Sequence, residues 1–288
     1  MPSGPELSTR IDEPIAPVPA SQGQLRSARR LLRRKERLVA GRFLAEGRQA
    51  VAEALGRGGA AIEVLVADDA VQRHQDLLRA AAQAQVPMAA ASARAVATLS
   101  DTVTPQGILA VCRTVDVPLA DALAGSPRLV VLCDQVRDPG NLGTVVRCAD
   151  AFGADAVLIS AESVDAYNAK TVRASTGSIF HLPLVVDVDL AEAVALGHRA
   201  GLAVLGADGA AEHTVDDLAR SGALAGPILW VLGNEAWGLP AEHLALIDRL
   251  VALPMYGRAE SLNLSTAAAV ILYATATAQR SGQPQAGA

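Results

Sequence analysis

Residues 128–153, RLVVLCDQVRDPGNLGTVVRCADAFG, carry the reading that decides the fold. Leu129 to Cys133 are uniformly apolar, the composition of a parallel strand covered on both faces rather than the alternation of a strand with one wet face. The chain then turns at Pro139-Gly140, Asn141 stands where it can cap a helix, and Arg147 falls six residues later on that helix. The same grammar recurs downstream: strands are expected at DAVLIS (155–160), LPLVV (182–186), LAVLGA (202–207), PILWVLG (227–233) and RLVALPM (249–255), each followed by a helix or a Gly-containing loop. This alternation predicts an α/β domain with a parallel sheet over residues 128–280. Ligands of such sheets bind at the carboxyl ends of the strands, so the loops after those strands are where chemistry is expected.

Upstream, helical stretches (GRFLAEGRQAVAEALGRG, 41–58; RHQDLLRAAAQAQ, 73–85; ARAVATLS, 93–100) alternate with β-rich ones (IEVLVA, 62–67; GILAVCRTV, 107–115). A second, smaller α/β domain is expected over residues 21–115, opened by a basic amphipathic helix on which Leu25, Ala28, Leu32 and Leu31, Leu38 recur at helical spacing. Residues 116–127, with Pro118 and Gly125, read as a linker. The five prolines in residues 1–20 predict a disordered leader, and 281–288 a disordered tail. A chain of 288 residues, 51% hydrophobic, can bury two cores without disulfide or metal staples.

Charge is unevenly spread. The total is −5, yet residues 21–57 hold ten basic side chains against three acidic ones. Such a run is the electrostatic footprint of phosphate binding, and equally that of a solvated helix face. Within it Arg29, Arg30, Arg33, Arg34 and Arg48 are the candidate nucleic-acid contacts. Aromatics are 3% of residues, so base stacking contributes little, and Trp230 and Trp237 read as core and rim. Cys112, Cys133 and Cys148 lack redox or zinc spacing and read as thiols in a reducing, cytoplasmic compartment. His74, His181, His198, His213 and His243 lack metal-ligand spacing, and no metal is expected. No apolar run is long enough for a membrane span.

Two further loops resist a purely local account. After PILWVLG comes Gly233-Asn234-Glu235-Ala236-Trp237-Gly238-Leu239-Pro240, where glycines permit close approach of backbone to a ligand and the carboxylate can accept hydrogen bonds. After RLVALPM, Ser261, Asn263 and Ser265 crowd the entrance of the helix AAAVILYATATA, where capping needs only one of them. The stretch Gly206-Ala-Asp-Gly209 lacks the full glycine fingerprint of a dinucleotide loop and is given no role.

DPGNLGTVVRCADAFGA (138–154), VLGNEAWGL (231–239) and LPMYGRAESLNLSTAAAVILY (253–273) resemble the three ordered motifs of the SpoU branch of the SPOUT methyltransferases, and KTVRASTGSIFHLP (170–183) resembles that family's intermediate segment. Residues 40–115 are similar to the small ribosomal-protein-like substrate-binding domain that often precedes the catalytic one. The resemblance implies a deep trefoil knot in the C-terminal domain, a homodimer that completes the site, and S-adenosylmethionine-dependent methylation of an RNA ribose 2′-hydroxyl. It implies a cofactor against Ala207, Leu232, Gly233, Asn234, Leu253, Met255 and Leu262, and a polar active site of Asn141, Arg147, Glu235, Ser261 and Asn263. Arg147 is left as either base or phosphate clamp, because guanidinium normally stays protonated.

The basic helix and front domain favour a large structured target, 23S rRNA over tRNA, with housekeeping and antibiotic-resistance roles both open. The readings set beside this one are a tRNA 2′-O-methyltransferase, a base methylase of the related knotted branch, and a non-catalytic ribosome-assembly protein. A base methylase would lack the Ser-Leu-Asn loop, and intact Asn141, Arg147, Glu235 and Asn263 speak against the non-catalytic protein.

Overall fold

The computed structural model describes residues 14–281. It contains two sheets. The first is mixed and five-stranded, in the order β1 (Val18–Pro19), β4 (Met88–Ala91), β3 (Ala61–Ala67), β5 (Ile108–Arg113), β2 (Arg42–Glu46). Around it lie α1 (Gln22–Arg30), α2 (Arg34–Ala40), α3 (Arg48–Gly56), α4 (Gln75–Gln83) and α5 (Ala93–Ala97). The second sheet has seven strands, in the order β10 (His213–Thr214), β12 (Arg249–Ala252), β9 (Ala203–Ala207), β11 (Ile228–Leu232), β6 (Leu129–Cys133), β7 (Ala156–Ser160), β8 (Leu184–Val188). Every pair in it is parallel. Its helices are α6 (Leu119–Ala122), α7 (Pro139–Phe152), α8 (Ala169–Ser175), α9 (Leu190–Arg199), α10 (Val215–Arg220), α11 (Ala241–Leu244) and α12 (Leu264–Arg280).

All five residues of each of β6, β7 and β11 are buried, as their unbroken apolar runs require. Alternate residues serve different cores. Leu129, Val131 and Cys133 of β6 face the core shared with α7, α8 and α12, while Val130 and Leu132 face the one closed by α6 and α9. The first of these cores continues into the five-stranded sheet, and Phe43 of β2 packs on Tyr167 and Phe180 with ring centroids 4.6 and 5.8 Å away. Gly143 lets α7 lie on α8: a Cβ there would stand 2.3 Å from the Thr171 carbonyl oxygen.

Several expectations are corrected. RFLAE is strand β2, not helix, because Phe43, Leu44 and Ala45 are all buried between β5 and the second domain. The basic run is two short helices, since the chain leaves helical geometry at Arg33 (φ −99°, ψ 131°) before α2 begins. Of the leader, residues 1–13 lie outside the described residues. From residue 14 on it is ordered: Ile15 exchanges hydrogen bonds with the Gln75 side chain, and Val18–Pro19 pairs with Ala89–Ala90 at the sheet edge, a position where proline is tolerated. The stretch expected as a linker contains α6, and its Ala122 and Leu123 are core residues. Of the expected tail, 282–288 lie outside the described residues.

Among the described residues no helix is long and apolar enough to cross a membrane.

Candidate active site

The strand order reverses at β6: the chain steps outward through β7 and β8, then returns to lay β9, β11 and β12 on the other side. At this switch, on the carboxyl edge, lies a cleft of about 660 Å³. Its walls are the ends of β9, β11 and β12, the entrance of α12, and Asn141 from α7. Ala207, Leu232, Gly233, Asn234, Leu253, Met255 and Leu262 all line it, as do Asn141, Glu235, Ser261 and Asn263.

The Gly233–Leu239 loop is a tight turn. Asn234 and Gly238 exchange backbone hydrogen bonds (2.9 and 3.0 Å), and the Asn234 side chain donates to the Gln135 carbonyl and accepts from Ala236 N–H. Gly238 has φ +69°. A Cβ on Gly233 would meet the Gly238 carbonyl carbon at 2.6 Å, so only glycine lets the two legs of the turn touch. The turn holds Glu235 over the start of α7, where its carboxylate accepts from the N–H groups of Arg137 (3.3 Å) and Asp138 (3.4 Å) and from Asn141 Nδ2 (3.0 Å).

From Glu235 a directed run of hydrogen bonds crosses the cleft mouth. Asn263 is the N-cap of α12, its Oδ1 accepting from Ser265 N–H, Ser265 Oγ–H and Thr266 N–H. Its Nδ2 must then be the outward donor, and it donates to Asn141 Oδ1 at 2.9 Å. That leaves Asn141 Nδ2 to face the carboxylate. Each amide has one permitted orientation. Asn141 itself does not cap α7, as the sequence had suggested. Asp138 does, with Pro139 at the first helical position, and this frees the Asn141 side chain for the cleft. The Lys170 ammonium, 2.9 Å from Asp138, holds that carboxyl below the usual carboxylate range, with the backbone N–H of Asn141 adding to the effect.

Arg147 is not brought into the cleft. It is exposed on α7, and its guanidinium donates to Thr176 Oγ1 at 3.3 Å. Of the basic candidates, Arg29, Arg30 and Arg33 are exposed, with no side-chain partner among the described residues, whereas Arg34 approaches Asp187 at 3.9 Å. Arg48 is tied to Asp76 through both terminal guanidinium nitrogens, Nη1 and Nη2. Arg37, counted only as part of the charge run, is 5% exposed and pairs with Asp165. Nothing in the local sequence separates it from its exposed neighbours.

Asp208 and Gly209, given no role from sequence, line the cleft, as does the 57%-exposed Trp237, while Trp230 is fully buried and donates to Thr275 Oγ1. His243 reaches the buried Asp134 at the end of β6. Burial pushes the Cys133 thiol up to about 12, with Glu235 and Asp134 adding to it, so it is an inert core thiol.

A parallel sheet with a cleft at its topological switch, crossed by an amide–carboxylate run and accompanied by a five-stranded sheet with a basic arm, is an α/β arrangement suited to binding a small molecule beside a larger anionic partner. The SpoU rRNA Methylase family model matches residues 128–273, and the MRM3-like substrate binding domain model matches residues 23–110. The chain is 37% identical over 254 residues to the 23S rRNA (guanosine(2553)-2′-O)-methyltransferase RlmP of Bacillus subtilis, covering 88% of this chain and 96% of that one. Its fold matches the AdoMet-bound rRNA methyltransferase from Sinorhizobium meliloti with a TM-score of 0.78 and 26% identity, covering 94% of this chain and 99% of that one. It matches the SpoU methyltransferase AviRb from Streptomyces viridochromogenes, solved with AdoMet, with a TM-score of 0.78 and 29% identity, covering 91% of this chain and 100% of that one. The chain belongs to the SpoU rRNA methylase family and is an RNA methyltransferase.

Proposed function

We propose that this protein methylates a ribose 2′-hydroxyl of 23S rRNA with S-adenosylmethionine, in the cytoplasm. The observation that carries the reading is the run Glu235–Asn141–Asn263 across the mouth of a cleft whose walls are part polar and part apolar. Three of the relatives are named for 23S rRNA and the 2′-oxygen, which supports the same RNA and the same atom here.

The cleft suits the cofactor. Its volume lies in the range of small-molecule sites, and Leu232, Leu253, Met255 and Leu262 supply apolar walls for an adenine. When bound there, the cofactor supplies an electrophilic methyl on a sulfonium. The protein's part is to hold the ribose oxygen in line with that methyl and to take or share its proton. Asn141 and Asn263 orient the hydroxyl, Ser261 lines the wall beside them, and Glu235 holds Asn141 in its donor orientation.

Arg147 enters through a homodimer. Val270 (44% exposed) and Tyr273 (60%) leave apolar surface uncovered on α12, which packs on α7, and a second copy seated there sets Arg147 at the neighbouring cleft. The return of the chain from β12 across the carboxyl edge to α12 supports reading that passage as the knot. The division into a front unit of 21–115 and a catalytic unit of 128–280 belongs to the same proposal.

The test is transfer of labelled methyl to total ribosomal and transfer RNA from a strain lacking this gene, with nuclease mapping. Label in one 2′-O-methyl nucleotide of 23S rRNA is the expected result. Label in a base, or in tRNA alone, refutes it.

A further inference from the structure

Arg137 has no task in the site just described. Its backbone N–H serves Glu235, but its exposed side chain lines a neighbouring groove of about 420 Å³ between α2 and the loop after β7. Arg34 of the basic arm lines the same groove. Among the described residues the Arg137 guanidinium has no hydrogen-bond or ion-pair partner, and Arg34 has only Asp187 at 3.9 Å, with both side chains more than half exposed. The third arginine, Arg37, is already satisfied. Its Nε and Nη2 donate to Asp165 Oδ2, and its Nη1 donates to the Leu31 carbonyl. A buried pair of this kind adds little net stability, but it ties the arm to the catalytic domain at one point.

The groove and the cleft lie side by side on one edge of the sheet. Loops after β9, β11 and β12 build the cleft, the loop after β7 builds the groove, and between them the β6 loop carries Arg137 and the first turn of α7 carries Asn141. A polymer lying in the groove is therefore led to the amide–carboxylate run. Among the described residues no aromatic side chain lines the groove, so its contacts suit a charged backbone rather than bases.

We propose that this groove seats the RNA strand entering the active site, with Arg34 and Arg137 each holding a phosphate and the Arg37–Asp165 pair setting their spacing; the inference rests on the RNA methylation reading above. Guanidinium matches a phosphodiester bidentately, and Asp187 is too distant to compete well with it. Glu162, exposed on the same wall, opposes the phosphates and moderates the grip.

The experiment measures KM for RNA between 50 and 200 mM salt, with calorimetric affinity for S-adenosylmethionine as the control for folding. Arg137→Gln and Arg34→Gln are each expected to raise KM about tenfold at low salt, the loss of one charged hydrogen-bonding partner. Each should flatten the log–log salt slope by about 0.7, one phosphate of a single strand, with cofactor affinity unchanged. Glu162→Gln should lower KM. Unchanged KM and slope in both arginine variants, while the wild type methylates RNA, overturns the groove alone. So does weaker RNA binding by Glu162→Gln, which marks a seat for a cationic partner. A wild-type chain that transfers no methyl to any RNA overturns the methylation reading and the groove together.

Discussion

Asn263 does two jobs with one amide, and two substitutions separate them. Its Oδ1 caps α12 and its Nδ2 holds Asn141. Asn263→Ala removes both. Loss of the cap costs about 1 kcal/mol, and loss of one exposed hydrogen bond about 0.5 to 1 kcal/mol more. In a chain of this size that lowers Tm by roughly 3–8 °C. Asn263→Asp keeps a capping oxygen and puts negative charge at a helix N-terminus, so stability should stay within about 0.5 kcal/mol of wild type. It nevertheless turns an acceptor toward Asn141 Oδ1. Asn141 must then rotate its amide to donate to the new carboxylate, which sets its own oxygen against Glu235. Methyl transfer should fall about a hundredfold in both variants, the scale of losing one oriented donor in a preorganised site. The assay is single-turnover transfer of labelled methyl at saturating cofactor, beside a thermal melt of each protein. Wild-type turnover in Asn263→Asp would refute the argument for the directed run, and an unchanged Tm in Asn263→Ala would refute the cap.

Other outcomes follow from the packing. Gly143→Ala drives a Cβ to 2.3 Å from the Thr171 carbonyl and 2.7 Å from Ala174 Cβ, and should cost about 2–3 kcal/mol in a denaturant melt, whereas Gly56→Ala, with nothing within 4 Å, should be neutral or slightly stabilising. Arg37→Met strands the Asp165 carboxylate, which is only 11% exposed, and should destabilise by about 3 kcal/mol, while Arg37→Met with Asp165→Leu recovers most of the loss. Replacing Arg29, Arg30, Arg33 and Arg34 by Gln should weaken RNA binding and flatten its salt dependence with cofactor affinity intact; an unchanged slope removes the arm from the interface.

His181 gives a pH signature. It bridges Glu53 of α3 and Asp150 of α7, and the hydrogen bond to Glu53, then that to Asp150, raises its pKa above the ordinary histidine value. A raised folded-state pKa stabilises fully below the unfolded value near 6.5 and loses that contribution as pH climbs through the folded value. The melting temperature should therefore decline across that interval, and His181→Gln should flatten the profile. A decline of equal size in the variant excludes the bridge as its cause.

Six strands of the catalytic sheet and the three loops that build the site are legible in the sequence, because burial on both faces demands uninterrupted apolar runs and because glycine, asparagine and carboxylate at strand ends have no local use that explains them all. RFLAE could be misread because Phe43, Leu44 and Ala45 are apolar in succession, with no period to separate strand from helix. Asp138 and Asn141 could exchange the capping role on paper. Only Glu235, about 95 residues downstream, decides which side chain turns into the cleft.

By itself, then, the sequence determined the α/β class, the carboxyl-edge loops and the chemistry of the residues in them, since these follow from local composition and period. The tertiary structure decided that Arg37 is a buried anchor and not a phosphate contact, that Arg147 lies outside its own cleft, and that Arg137 and Arg34 meet across one groove. Charge and spacing along the chain are the same for a paired and an unpaired arginine, and only the distance to a carboxylate in space tells them apart.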